Sequence, residues 1–342
     1  MINESFLVRQ EILTRLRQAA YSGAPGSLGA LAFGGHQVAD HGAELAYAKE
    51  PAFPVKAPPA AAPAASRDWT FWAKGLGGWG RTDTDGNAAA VRDTFGGFIT
   101  GADARFGEVL RLGIAAGYTF SSLNVDARAS AAGIESAHVG AYAGAAFGPL
   151  NLRAGAAYSF HNIDTSRTIS FPGFLDHATG RFDGSTAQVF GEAGYGMSLG
   201  HVALEPFAGA AFVRVDTAGF LESGGVAALS VGSATREVGY SSLGLRAAGM
   251  IQLENGHWLV PRAAIAWQHA FDDVTPTAAL AFQSTGAAFA ISGVPIARDA
   301  ALAEAGVDLR LSPRAKLSVA YSGQLAEHAQ THSVKGGFTW NY

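Results

Sequence analysis

From position 69 to its last residue the chain repeats with a period of two, over runs that are long for soluble strands. In 110–121, Leu112, Ile114, Ala116, Tyr118 and Phe120 share one face of an extended chain, and Arg111, Gly113, Ala115, Gly117 and Thr119 share the other. In 186–199, Ala187, Val189, Ala193, Tyr195, Met197 and Leu199 oppose Gln188, Glu192 and Ser198. Val307, Leu309 and Leu311 oppose Glu304, Asp308 and Arg310, and Leu317, Val319, Tyr321 and Leu325 oppose Lys316, Ser318, Ser322 and Gln324. The closing "GGFTWNY" puts Phe338, Trp340 and Tyr342 on one side and Gly337, Thr339 and Asn341 on the other. Chain ends usually fray into water. This one reads as a strand whose apolar side must face something.

A soluble sandwich also alternates, with its apolar face inward. Three features point elsewhere. The runs are about eleven to fifteen residues long, against about five or six for an ordinary strand. The polar face carries Gly, Ala and isolated charges rather than dense Lys and Glu, and charged residues total only 15%, where roughly 25% is usual. Aromatics gather near the strand ends, as in an interfacial girdle. The net charge of −4 and the lack of a basic patch argue against a nucleic-acid partner. The chain has no cysteine, which fits an oxidising compartment. No run of about 18 apolar residues is present, so no transmembrane helix is expected.

The connections fix the architecture. The predicted strands are 69–80, 95–106, 110–121, 134–147, 150–162, 186–199, 202–215, 238–252, 257–271, 299–311, 315–326 and 331–342, about twelve in all. Short links fall at Gly107–Val109, Gly148–Pro149, Gly200–His201, Glu254–Gly256 and Ser312–Arg314; long ones at 81–94, 122–133, 163–185, 216–237 and 272–298. An even strand number with short turns at one end and longer loops at the other is the pattern of a bacterial outer-membrane barrel. The link 327–330 is a short exception, and 277–291 is left open as a loop or an extra hairpin. The expected fold is therefore all-β: a transmembrane antiparallel up-and-down β-barrel of about twelve strands, over 67–342, with its apolar faces toward outer-membrane lipid. Closing "WTFWAKGLGGWG" onto the last strand satisfies every backbone group, as hydrocarbon requires.

Ahead of the barrel, residues 1–22 read as an α-helix, with Ile2, Phe6, Leu13, Leu16 and Ala20 on one stripe. Asn3 can cap its start, and Gly23 and Pro25 stop it. Arg9, Arg15 and Arg17 lie off the stripe, so it reads as an amphipathic surface helix or a pore plug. Residues 23–66 read as a linker whose "PAFPVKAPPAAAPAAS" is polyproline-like, with a short helix at 40–49 as an alternative plug. An export signal is not expected, because Glu4, Arg9, Glu11, Arg15 and Arg17 interrupt the apolar core it needs.

The "WAKGLGGWG" opening strand, the strand rhythm and the "FTWNY" end together make 69–342 resemble the translocator domain of autotransporters, the type V secretion barrels of Gram-negative bacteria. The helix "FLVRQEILTRLRQAAY" resembles segments that precede such barrels. The resemblance implies an outer-membrane barrel that anchors an N-terminal passenger and exports it to the cell surface, with a helical segment left in the pore. It also implies a C-terminal signal for the barrel-assembly machinery, carried by Val334, Phe338, Trp340 and Tyr342. No passenger is recognisable here, so the chain reads as the C-terminal part of a longer product or a degenerate copy.

No catalytic, cofactor or metal site is expected. The functional surface would be the lumen, with Lys74, Asp103, Arg105, Arg111, Arg153, Glu192, Glu205, Arg246, Arg262, Glu304, Asp308, Arg310 and Lys335 facing it. The acids among them are candidates to hold Arg9, Arg15 or Arg17, since guanidinium suits a carboxylate bidentately. Alternatively the charges pair with one another and only fill the barrel. Gly75, Gly77 and Gly80 match G-x-G-x-x-G but precede a turn, not a helix. Ser198 sits in "GMSLG" before a tight turn rather than a nucleophile elbow. Asp83, Asp85 and Asn87 miss the calcium-loop spacing. His36 and His41 lie in the linker. A phospholipase barrel needs Ser and His together on the lipid side, whereas Ser198 and His269 fall on different strands and opposite faces. A porin-like or passenger-less barrel is the remaining alternative.

Overall fold

A computed structural model describes residues 1–19, 69–107, 109–200, 202–254, 256–271 and 275–342. The linker 23–66, the alternative helix at 40–49, His36 and His41 lie outside the described residues.

The alternating stretches form twelve long strands: β1 Trp69–Thr82, β2 Val91–Phe106, β3 Leu110–Val125, β4 Ser130–Phe147, β5 Leu150–Phe171, β6 Phe174–Tyr195, β7 Val202–Thr217, β8 Ala234–Gly249, β9 Trp258–Ala270, β10 Asp299–Arg310, β11 Ala315–Ala326 and β12 Ala329–Asn341. Each pairs antiparallel with its sequence neighbours, and β1 pairs with β12 from Thr70 opposite Asn341 to Thr82 opposite Ala329, so the sheet closes on itself. Met197–Leu199 prolongs β6 beyond a break at Gly196, and Ile251–Gln252 prolongs β8 beyond Met250.

The faces are sorted opposite to those of a soluble protein. Along β5, Leu152, Tyr158 and Phe160 are exposed while Arg153, Ser159 and His161 are buried. Ile114 on β3 is 67% exposed and Phe160 is 58% exposed, values a water-facing sheet would not carry strand after strand. An apolar exterior around a polar interior is what a barrel in hydrocarbon requires. No helix among the described residues is long and apolar enough to cross a membrane.

Short connections join β2–β3, β4–β5, β6–β7, β8–β9 and β10–β11, all at one end. Gly148 makes the β4–β5 turn at φ +57, a left-handed conformation that favours glycine. The other end departs from expectation. The expected loop 163–185 is a continuous ladder: β5 and β6 run 22 residues each and turn only at Pro172–Gly173. The expected loop 122–133 is likewise mostly strand, with a single 3₁₀ turn at Asp126–Arg128. Beyond lipid the ladder continues with polar residues on both faces, and apolar alternation no longer marks it. The segment 277–291 does not span. Thr277–Phe282 and Ala288–Ser292 form a hairpin that joins Leu229–Val231 and Phe220–Leu221 in a separate four-stranded sheet at this mouth.

In the loop between β1 and β2, the Asp85 carboxylate accepts the backbone N–H groups of Ala88 and Asn87 at 2.7 and 2.9 Å. These two bonds hold its pKa below the usual carboxylate range. The loop is self-capped and solvated.

Candidate functional site

The lumen is occupied by α1, Ile2–Ala19. The helix is not on the surface, as one of the two expectations had it. Leu7, Val8, Ile12, Leu13 and Leu16 are buried in one cluster with Trp72, Leu76, Phe95, Ile99, Ala115, Tyr142, Ala157 and Phe190 of the wall. Glycines on β4 make room for it. A Cβ at Gly140 would come within 3.1 Å of Ile12 Cδ1, and one at Gly144 within 2.9 Å of Leu16 Cδ2.

Its charged side chains are buried as well, and they reach partners on several strands of the wall. Arg15 clamps Asp103 of β2 bidentately, Nε to Oδ2 at 2.6 Å and Nη2 to Oδ1 at 2.8 Å. Arg111 pairs with the same carboxylate. The Tyr142 hydroxyl donates to it at 2.9 Å and accepts from Trp72 Nε1 at 2.7 Å. Arg17 grips both oxygens of Glu192 on β6. Around that contact, Arg153 donates to Glu192 at 2.9 Å and to Glu205 at 2.7 and 3.0 Å, and Arg246 pairs with both acids over the Phe207 ring. Gln18 donates to Asp308 at 3.3 Å, beside Arg262, Glu304 and Lys316. Glu11 lies between Lys74 of β1 and Lys335 of β12, at 2.8 and 2.7 Å. Arg9 meets no acid. Its Nη1 donates to Gln188 Oε1 at 3.2 Å, and its guanidinium lies 5.5 Å from the Tyr240 ring.

The acids that hold helix arginines are thus Asp103 and Glu192, while Glu304 faces Arg262. Arg105 and Arg310 stand near the short-turn rim, exposed and half-buried. Several lumen residues escaped the sequence reading. Glu4 bonds Ser121 and, at 3.1 Å, Ser136. Two polar ladders, Thr119–His138–Ser159 and Ser136–His161–Thr186, link β3 to β5 and β4 to β6 through contacts of 2.7–2.8 Å. Strict alternation on β4 and β5 places these groups on the face of Arg153, which is the signal that could have found them.

The helix has a direction. Its start lies at the long-loop mouth, where Met1, Ile2, Asn3 and Glu4 line a vestibule of about 1890 Å³ beneath the four-stranded sheet. Its end, at Arg17 and Gln18, lies toward the short turns, the end at which β1 begins. Val334, Phe338, Trp340 and Tyr342 are all exposed on the outer face of the last strand or its end. Ser198 and His269 lie at opposite ends of the barrel, His269 beside Asp299 at 2.9 Å, so they make no catalytic pair.

The family model described as the autotransporter beta-domain matches residues 71–322. The chain belongs to the autotransporter β-domain family. It is 36% identical over 271 residues to an extracellular serine protease of Serratia marcescens, a match that covers 79% of this chain and 26% of that relative. The chain therefore spans about a quarter of the length of the curated relative it matches. Among solved structures, the β-domain resembles the translocator domain of autotransporter NalP from Neisseria meningitidis, with TM-score 0.67 and 16% identity over 80% of this chain and 88% of that one. It also resembles the beta domain of the Bordetella autotransporter BrkA, with TM-score 0.59 and 19% identity over 80% of this chain and all of that one. The transport unit of AIDA-I from Escherichia coli follows at TM-score 0.54 and 15% identity, over 80% and 90%. The β-domain is a barrel of the outer membrane.

Proposed function

We propose that this β-domain exports an N-terminal passenger across the outer membrane and then closes its own pore with α1. The observation that carries this reading is the direction of the helix: its start lies at the vestibule and its end at the short turns. A passenger preceding such a helix would leave through the mouth and stay anchored there. The Serratia relative, called an extracellular protease, leaves about three quarters of its length outside the shared region, which is room for a passenger of that or another kind. Lipid holds the apolar belt. The barrel-assembly machinery recognises the last strand through Val334, Phe338, Trp340 and Tyr342. The thirteen charged wall residues act as a counter-charge surface for the helix, with Arg105 and Arg310 at the rim.

The test is surface exposure. A signal peptide and a tagged reporter are fused ahead of Met1, the fusion is expressed in a Gram-negative host, and intact cells are treated with protease. Loss of the tag while the barrel keeps its heat-modifiable gel mobility is expected. A folded barrel with a protected tag would instead favour a porin-like role.

A further inference from the structure

The closing seam of the barrel carries charges that its own strands do not balance. In the β1–β12 ladder Lys74 lies opposite Gly337, and Leu76 lies opposite Lys335. The two lysines are diagonal neighbours on the lumen face, and each is only 6% exposed. Like charges close across a strand pair are destabilising, more so away from water. Among the described residues, the carboxylate in ion-pair contact with them comes from the helix. Glu11 Oε2 is 2.8 Å from Lys74 Nζ, and Oε1 is 2.7 Å from Lys335 Nζ. Lys74 Nζ also donates to the Glu11 carbonyl oxygen at 3.4 Å. Glu11 is 0% exposed, and beyond these ammonium groups its carboxylate oxygens have no hydrogen-bond partner among the described residues.

The other helix contacts differ in kind. Asp103 keeps Arg111 if Arg15 leaves. Glu192 and Glu205 keep Arg153 and Arg246 if Arg17 leaves. Glu304 and Asp308 keep Arg262 and Lys316 if Gln18 leaves. Each of those wall clusters keeps both signs without the helix, but the seam, where Lys335 meets Glu304 only at longer range, is left with two buried ammonium groups and no acid in ion-pair contact among the described residues.

We propose that Glu11 is a clasp for the barrel's closing seam: one helix carboxylate bridges the first and last strands, so the β1–β12 ladder is fully tight only when α1 is seated. The inference requires the helix in the lumen but not export, so its failure would leave the export reading untouched.

Amide hydrogen exchange on the full chain in detergent tests it, comparing Glu11→Gln with the unaltered protein and with Arg17→Gln. In Glu11→Gln, amides at 75–77 and 334–337 should exchange about tenfold faster or more, while the β4–β5 ladder keeps its protection. Arg17→Gln should leave the seam unchanged. Adding Lys335→Gln to Glu11→Gln removes the repulsion and should bring the seam back to within about twofold of the unaltered protein. An unchanged seam in Glu11→Gln, equal acceleration on every strand pair, or no recovery in the double variant would each overturn the proposal. If Glu11→Gln alone does not fold, the double variant decides: folding with a protected seam supports the clasp, and failure to fold overturns it.

Discussion

At the scale of single residues, the lumen is governed by the cost of stranding a buried charge. Asp103 is fully buried and serves Arg15, Arg111 and Tyr142 at once. Asp103→Asn leaves two guanidinium groups facing a neutral amide, and breaking such a pair costs about 3–5 kcal/mol. A matching loss in thermal or denaturant unfolding of the detergent-solubilised barrel is expected, with a smaller loss for the exposed Asp164→Asn, whose partner Arg181 is solvated. Gly144→Leu acts by volume instead. Its side chain needs the space of Leu16, so it should displace the helix and raise ion conductance without removing a charge. The alternation gave every wall charge a face, because parity along a strand is strict. It could not pair them, because pairing depends on the shear of the barrel and the rotation of the helix. Parity alone therefore makes Glu304 and Asp308 as eligible for helix arginines as Asp103 and Glu192, and it does not single out Glu11.

At the scale of elements, α1 is the part whose place the sequence left open. Its apolar stripe fits a surface groove as well as a pore. What decides between them is Gly140 and Gly144, which shape the wall, and the burial of Glu4, Arg9, Glu11, Arg15 and Arg17 all round the helix. Deleting residues 1–19 should therefore convert a closed barrel into one with stepwise conductance in planar bilayers; equal conductance with and without them would contradict the seating. The strands were legible wherever lipid enforces apolar alternation, as in 110–121. They were not legible at 163–185, where the ladder continues through Arg167, Thr168, Asp176 and His177 with no apolar face to betray it. Because that hairpin leaves the membrane, replacing 169–176 with a two-residue turn should leave heat-modifiable folding intact.

At the scale of the whole molecule, the inverted sorting of residues makes a spectroscopic prediction. Trp340 is 40% exposed on the outer face, while Trp72 is 2% exposed against Tyr142. In single-tryptophan variants reconstituted in vesicles, brominated acyl chains should quench Trp340 strongly and Trp72 hardly at all. Comparable quenching of both would mean the faces are misassigned. The fold as a whole was readable because closure, strand parity and turn asymmetry are imposed by one solvent, the bilayer. The small sheet at the mouth lies outside that constraint, and 277–291 could be placed only by its pairing with Leu229–Val231.

Seated inside the barrel, α1 places Ile12 against Gly140 of β4. The chain has no cysteine, so a thiol pair at Ile12→Cys and Gly140→Cys would be unique, and a short bifunctional thiol reagent can be applied to intact outer membranes. Efficient cross-linking is expected in the folded, heat-modifiable form, and none between Ile12→Cys and an outward position such as Val139→Cys. A folded barrel in which Ile12→Cys fails to cross-link to Gly140→Cys, or reacts equally with the outward position, would contradict this seating.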